Sequence, residues 1–190
     1  MAHAARETEI KLAVPDVRTA RSLLRSAGFR VSKRRVFEKN TVFDTPELSL
    51  RRAATLLRVR QAGGAVTLTY KGPPDVGRHK SREELELEIS DARAMSAIIE
   101  RIGLGPVFRY EKFRTEYRQP GHLGIATLDE TPVGVYLELE GTPQWIDRAA
   151  RKLGFAEKDY ITASYARLYL EWCEWHRVRP SDMVFSDRVP

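Results

Sequence analysis

ETEIKLAV, residues 7–14, alternates charged and apolar side chains. In an extended chain successive side chains point to opposite faces. Thr8, Ile10 and Leu12 therefore share one face of a strand, and Glu7, Glu9 and Lys11 share the other. The fold depends on which of these faces is inside.

The same phase recurs along the chain. Arg58 and Arg60 oppose Leu57 and Val59, and Thr67, Thr69 and Lys71 oppose Leu68 and Tyr70. Arg82, Glu84, Glu86 and Glu88 oppose Leu85, Leu87 and Ile89. Lys112, Arg114 and Glu116 oppose Phe113 and Tyr117, and Glu138 and Glu140 oppose Leu137 and Leu139. Each strand alone is explained by a one-layer sheet with its polar side in water. Together they show something else: the charges are sorted by strand, some rows mainly carboxylate and others basic. Closing such a sheet with the charged side inward gives a barrel with a polar lumen. Buried charges must be paired or must meet a ligand of opposite charge. Basic rows suit phosphate oxygens. Carboxylate pairs suit Mg²⁺ or Mn²⁺, hard cations that prefer oxygen ligands and bridge to substrate phosphates.

Strand signals fall at 6–14, 35–44, 55–61, 65–71, 80–89, 108–118, 122–130 and 133–141. Ala62-Gly63-Gly64 reads as a tight hairpin. Asp129-Glu130-Thr131-Pro132 reads as a turn, unless Thr131-Pro132 only bends one long strand. Helices are expected at 16–27, 91–102, 142–153 and 163–175. Tyr165, Leu168, Tyr169 and Trp172 form the apolar stripe of the last one. Irregularly interspersed helices and antiparallel-type strands indicate an α+β fold. The expected organisation is a single domain over 1–175 and a loose tail over 176–190.

With 190 residues, 42% hydrophobic and 31% charged, the chain can bury a core. It has no run of 18 apolar residues and no apolar h-region near its start, so neither a membrane span nor a secretory signal is expected. The lone Cys173 cannot pair internally, and a cytoplasmic protein is the default expectation. The net charge of +6 suggests an anionic partner without choosing between nucleic acid, nucleotide and phosphate, and the scatter of the basic residues weakens the nucleic-acid reading.

ETEIK (7–11) resembles the E-x-E-x-K signature of the CYTH superfamily, the triphosphate tunnel metalloenzymes. VFDTPELSL (42–50), LLRVR (56–60), LTYKGP (68–73), REELELEI (82–89), EKFRTEY (111–117), LDETPVGVYLELEG (128–141) and SYARL (164–168) follow in that family's order. The resemblance covers about residues 5–170. It implies a closed eight-stranded antiparallel barrel that holds a triphosphate in its tunnel. By that resemblance Glu7, Glu9, Glu138 and Glu140 are metal-site carboxylates, joined at less distinctive positions by Glu86 and Asp129. Lys11, Arg58, Arg60, Lys71, Arg82, Lys112 and Arg114 form the phosphate clamp, with Lys11, Arg60 and Glu138 closest to the reaction. Many relatives carry a basic residue where this chain has Ala163, which puts in doubt a phosphate-gripping role for the last helix.

The expected activity is Mg²⁺- or Mn²⁺-dependent hydrolysis of inorganic triphosphate or a small organic triphosphate. The 128–141 stretch resembles hydrolase-like members, and no adenine pocket is evident. The alternatives are a class IV adenylate cyclase making cyclic AMP and pyrophosphate, and a non-enzymatic polyphosphate- or nucleotide-binding module. A homodimer is compatible with the sequence. His79 and His122 lie near loops and are assigned no chemistry, and Tyr169, Trp172 and Trp175 are expected to pack rather than hold a base.

Overall fold

The structure, a computed structural model, describes residues 3–186, and side chains from Arg6. Its strands are β1 (His3–Val14), β2 (Arg30–Asp44), β3 (Leu56–Ala62), β4 (Ala65–Lys71), β5 (Lys80–Ile89), β6 (Gly105–Arg118), β7 (Ile125–Thr131) and β8 (Gly134–Glu140). They close into one antiparallel barrel in the order β1-β5-β4-β3-β2-β6-β7-β8. The helices are α1 (Val17–Ser26), α2 (Ser49–Arg52), α3 (Ala92–Arg101), α4 (Pro143–Lys152) and α5 (Tyr165–His176).

The phase of the alternation decides the closure. Ile10, Leu12, Leu128, Leu137 and Leu139 point outward and are fully buried under α1 and α4. Burial of such a side chain is worth about 1.5–3 kcal/mol, so their common side is fixed as the core. The opposite phase then has no choice but the lumen. Asp16 caps α1 by accepting from the Thr19 amide at 2.7 Å, and Thr142 caps α4, with Pro143 at its first position. Gly63 and Gly64, both at positive φ, make the two-residue turn between β3 and β4.

β2 begins at Arg30, five residues before the expected start, because its basic stretch 32–35 crosses two register shifts against β6 that break the alternation. The β7–β8 turn is at Pro132-Val133, pinned by the Thr131 hydroxyl, which donates to the Gly134 carbonyl at 2.7 Å. Asp129 is consequently a strand residue, not a turn residue.

Residues 177–186 are not loose. Met183 is buried, and its backbone bonds to Arg109 and Glu111 along a stretch of β6 that β7 leaves unpaired. Phe185 packs on Phe37 and Phe113. Unpaired backbone groups are costly, and these residues satisfy them. The final residues of the expected tail, 187–190, lie outside the described part. Trp175, expected to pack, is 84% exposed. Among the described residues no helix is long and apolar enough to cross a membrane.

Gly124 lies against the face of the buried Trp145 ring, so a Cβ there would overlap it. Overpacking of this kind costs about 1–3 kcal/mol. Gly124→Ala is expected to lower stability by at least that amount in urea unfolding, because the ring is enclosed in the core with Phe29 packed edge-on against it. An unchanged midpoint would show that the ring can move aside.

Candidate active site

The barrel encloses a cavity of about 1230 Å³. All thirteen anticipated residues except Asp129 line it, and Asp129 lies behind its wall with Lys112 and Arg114 in contact. Burial here is unusual for ionised groups: Lys11 is 2% exposed, Lys112 3% and Asp129 0%. Each is paired, as interior charges must be.

Three groups of contacts organise the lumen. On the β6–β7–β8 wall, Asp129 accepts from Lys112 at 2.7 Å and from Arg114 Nε at 2.7 Å, and Arg114 also reaches Glu138. The Tyr165 hydroxyl donates to Asp129 at 2.7 Å. On the opposite wall Arg58 donates to Tyr110 at 3.0 Å and to Thr69 at 3.2 Å, while Arg60 pairs with Glu86 at 2.8 Å. Near the β1 seam Lys71 lies between Glu7 and Glu84, Arg82 lies 3.6 Å from Glu7, and Lys80 pairs with Glu9 at 3.0 Å.

Lys11 joins the carboxylates of the first and last strands, at 3.6 Å from Glu9 and 3.3 Å from Glu138. Burial alone would lower its proton affinity, but Glu9 and Glu138 outweigh burial and hold it above the ordinary lysine value. Burial likewise opposes ionisation of Glu9, yet Lys11 and Lys80 keep that carboxyl well below the usual range. Glu140 behaves differently. Partial desolvation together with Glu7, Glu138 and Glu84 pushes it up to about 7. Lys80 is pushed down to about 8, chiefly by burial.

These shifts bear on a divalent cation. Register places Glu9 directly opposite Glu140, with Glu138 opposite Lys11. Like charges facing across strands are unfavourable, and a bound cation removes that cost. Among the described residues no three His, Cys, Asp or Glu side chains form a preassembled metal-ligand group. Mg²⁺ does not require one, since it is held by one or two carboxylates beside substrate phosphates and waters. The oxygen-only donors Glu7, Glu9, Glu138 and Glu140 therefore fit Mg²⁺ or Mn²⁺. Asp129 does not, because both its oxygens are taken by Lys112, Arg114 and Tyr165. Glu86 is also set apart, held by Arg60 and by the Thr69 hydroxyl at 3.0 Å.

Several lumen residues were not anticipated. Glu38 faces Lys112 at 3.7 Å, and Lys80 belongs to the same inward row as Arg82. Tyr165, expected in the apolar stripe of α5, instead lies under Lys11 and Lys112, with their ammonium groups 5.2 and 4.9 Å from its ring centre. α5 thus reaches the lumen through Tyr165 rather than through a basic residue at 163. His79 lies outside the lumen and bonds Asp147 on α4 at 2.8 Å.

The sequence matches the CYTH domain family over residues 5–165. A Methanocaldococcus jannaschii protein, named a candidate adenylate cyclase, is 31% identical over 134 residues, 70% of this chain and 75% of that protein. A solved Pyrococcus horikoshii structure superposes with a TM-score of 0.73 at 24% identity, covering 85% of this chain and 98% of its own. A Hippeastrum protein, described as a candidate adenylyl cyclase with dominant triphosphatase activity, superposes with a TM-score of 0.64 at 19% identity, covering 87% and 95%. The two structural likenesses concern the fold.

Proposed function

The chain belongs to the CYTH family, a family of metal-dependent triphosphate tunnel enzymes, and from this premise we propose that it hydrolyses inorganic triphosphate or a small organic triphosphate. One observation carries the reading. Lys11, Arg58, Arg60, Lys112 and Arg114 approach one enclosed space from three strands, and they recognise a chain of phosphates rather than what is attached to it.

Phosphoryl transfer asks mainly for positioning and charge neutralisation. Arg58, held by Tyr110 and Thr69, presents a fixed guanidinium to one phosphoryl group. Arg60, one inward position further along β3, reaches the next. Lys112 and Arg114 neutralise the opposite side, and Lys11 sits where the phosphate chain passes the seam carboxylates. When bound on Glu9 and Glu138, Mg²⁺ or Mn²⁺ supplies charge to phosphate oxygens and lowers the pKa of a coordinated water. Enclosure of the lumen restricts competing water, so attack on the terminal phosphorus is limited to a water aligned with it.

A cyclase reading, in which a ribose hydroxyl attacks the α-phosphorus of ATP, has support of its own. The M. jannaschii relative carries a cyclase name. The cavity lining also includes Leu50, Val107, Phe108 and Leu170, apolar side chains against which a base would pack.

Triphosphate, thiamine triphosphate, ATP and GTP should be assayed with Mg²⁺ or Mn²⁺, reading orthophosphate and cyclic nucleotide in parallel. Fastest orthophosphate release from triphosphate is expected. Cyclic AMP and pyrophosphate from ATP, with inorganic triphosphate inert, would replace hydrolysis by the cyclase reading. Turnover by neither route would leave a binding module. Glu9→Gln is expected to abolish metal-dependent turnover while the protein stays folded by circular dichroism, and undiminished activity in excess chelator would refute the metal role.

A further inference from the structure

A second cavity, of about 360 Å³, lies outside the barrel between α1, the irregular start of β2 and the outward face of β6. Its floor is formed by Phe29, Thr115 and Tyr117, all buried. Its rim is formed by Arg21 and Arg25 from α1 and by Arg34 and Arg35 from β2. The placement follows from local geometry. Residues four apart share a helix face, which aligns Arg21 with Arg25. Bulges re-aim side chains, and the register shifts between Val31 and Val36 bring two consecutive arginines, Arg34 and Arg35, to the same hollow.

The charge here is not compensated as it is in the tunnel. Arg35 is held by Glu130 through two bonds of 2.8 and 2.9 Å and lies over the Phe113 ring. Glu116 is taken by Lys33, Ser32 and Arg118. Among the described residues Arg21, Arg25 and Arg34 form no ion pair, whereas their neighbours Lys33, Arg35 and Arg118 do. A second, independent feature lies at the floor. The Thr115 hydroxyl is enclosed and has no hydrogen-bond partner. Native proteins pair nearly all such groups, and this one lies beneath guanidinium groups that make no ion pair, Arg21 being bonded to the Tyr117 hydroxyl, so that an anion in the hollow would accept from both. The cavity is at the lower end of the size range of ligand pockets, which suits a compact anion.

We propose that this hollow is a separate inorganic phosphate site, taking orthophosphate or pyrophosphate on Arg21, Arg25 and Arg34 above Thr115. It does not depend on which reaction the tunnel performs. Calorimetric titration with pyrophosphate and with orthophosphate tests it on the Arg58→Ala/Arg60→Ala protein, in which the tunnel clamp is weakened. That protein is expected to keep one saturable, salt-sensitive class of sites. Adding Arg25→Ala/Arg34→Ala should weaken that class at least about tenfold, since each charge-assisted bond lost is worth a factor of that order, and adding Thr115→Val should weaken it about fivefold. Arg25→Ala/Arg34→Ala alone, both positions being exposed, should leave melting temperature and tunnel turnover unchanged. Failure of both anions to saturate the tunnel variant, or saturation indifferent to Arg25 and Arg34, would overturn the proposal. So would single-stranded DNA binding through Arg25 and Arg34 while both inorganic anions fail to bind.

Discussion

Asp129→Ala is expected to destabilise the protein by about 3–5 kcal/mol, the cost of removing one partner from a buried ion pair. Asp129 has no exposure to solvent, and its carboxylate is shared by Lys112, Arg114 and Tyr165. Its loss leaves two buried cations with only Glu38 and Glu138 near them. For a chain of this size each kcal/mol moves the melting temperature by roughly 2–4 °C, so a fall of roughly 6–20 °C is expected. Asp129→Asn, which keeps the shape but not the charge, should fall between. If Asp129 were instead a metal ligand, its replacement would chiefly raise the Mg²⁺ requirement, with the melting temperature little changed. Thermal unfolding beside a metal titration distinguishes the two.

Arg60→Ala should lower kcat/KM for triphosphate by about 10-fold to 150-fold. That is the loss of one charge-assisted bond of about 1.5–3 kcal/mol, at 1.36 kcal/mol per tenfold. Arg60 isolates this contact better than Arg58, because among the described residues it pairs with the partly exposed Glu86 alone, and such pairs contribute little to stability. Arg58 is held by Tyr110 and Thr69, so its removal would also disturb the wall. The loss should be similar for triphosphate and ATP, since both present phosphates to the same guanidinium. A loss confined to ATP would mean that Arg60 reads the nucleoside instead.

Closure of the barrel and its inward rows were readable because the charged and apolar phases of β1, β3, β5, β6 and β8 are cleanly opposed. Failures occurred where that contrast breaks down. In β2 the inward Glu38 and Asn40 alternate with outward Lys39 and Thr41, so neither face looks apolar. Lys80 belongs to the Arg82 row, but outward Ser81 and Glu83 give that end of the strand no apolar contrast. Asp129 resembles a turn residue because Thr131-Pro132 follows it, while the actual reversal is at Pro132-Val133. Tyr165 has the spacing of a core residue, and spacing cannot reveal that its hydroxyl meets a carboxylate across the barrel. The partnerships of Met183 and Phe185 depend on a gap beside β6 that only the assembled sheet contains.

The seam at β1 has a consequence for how the chain acquires its site during synthesis. β1 bonds to β5 over its first half and to β8 over its second, and β8 ends at Glu140. Of the eight barrel strands, the first to be synthesised is thus the last to be completed. At about 5–20 residues per second, its second half waits roughly 6–25 s for its partner to be made. During that interval Lys11 has neither Glu138 beside it nor the Ile161 backbone that bonds to its own. Glu9 and Glu140 come face to face only in the step that joins the barrel ends, so a nascent or C-terminally truncated chain lacking β8 has the Glu9–Lys80 side of the seam without the carboxylates of Glu138 and Glu140.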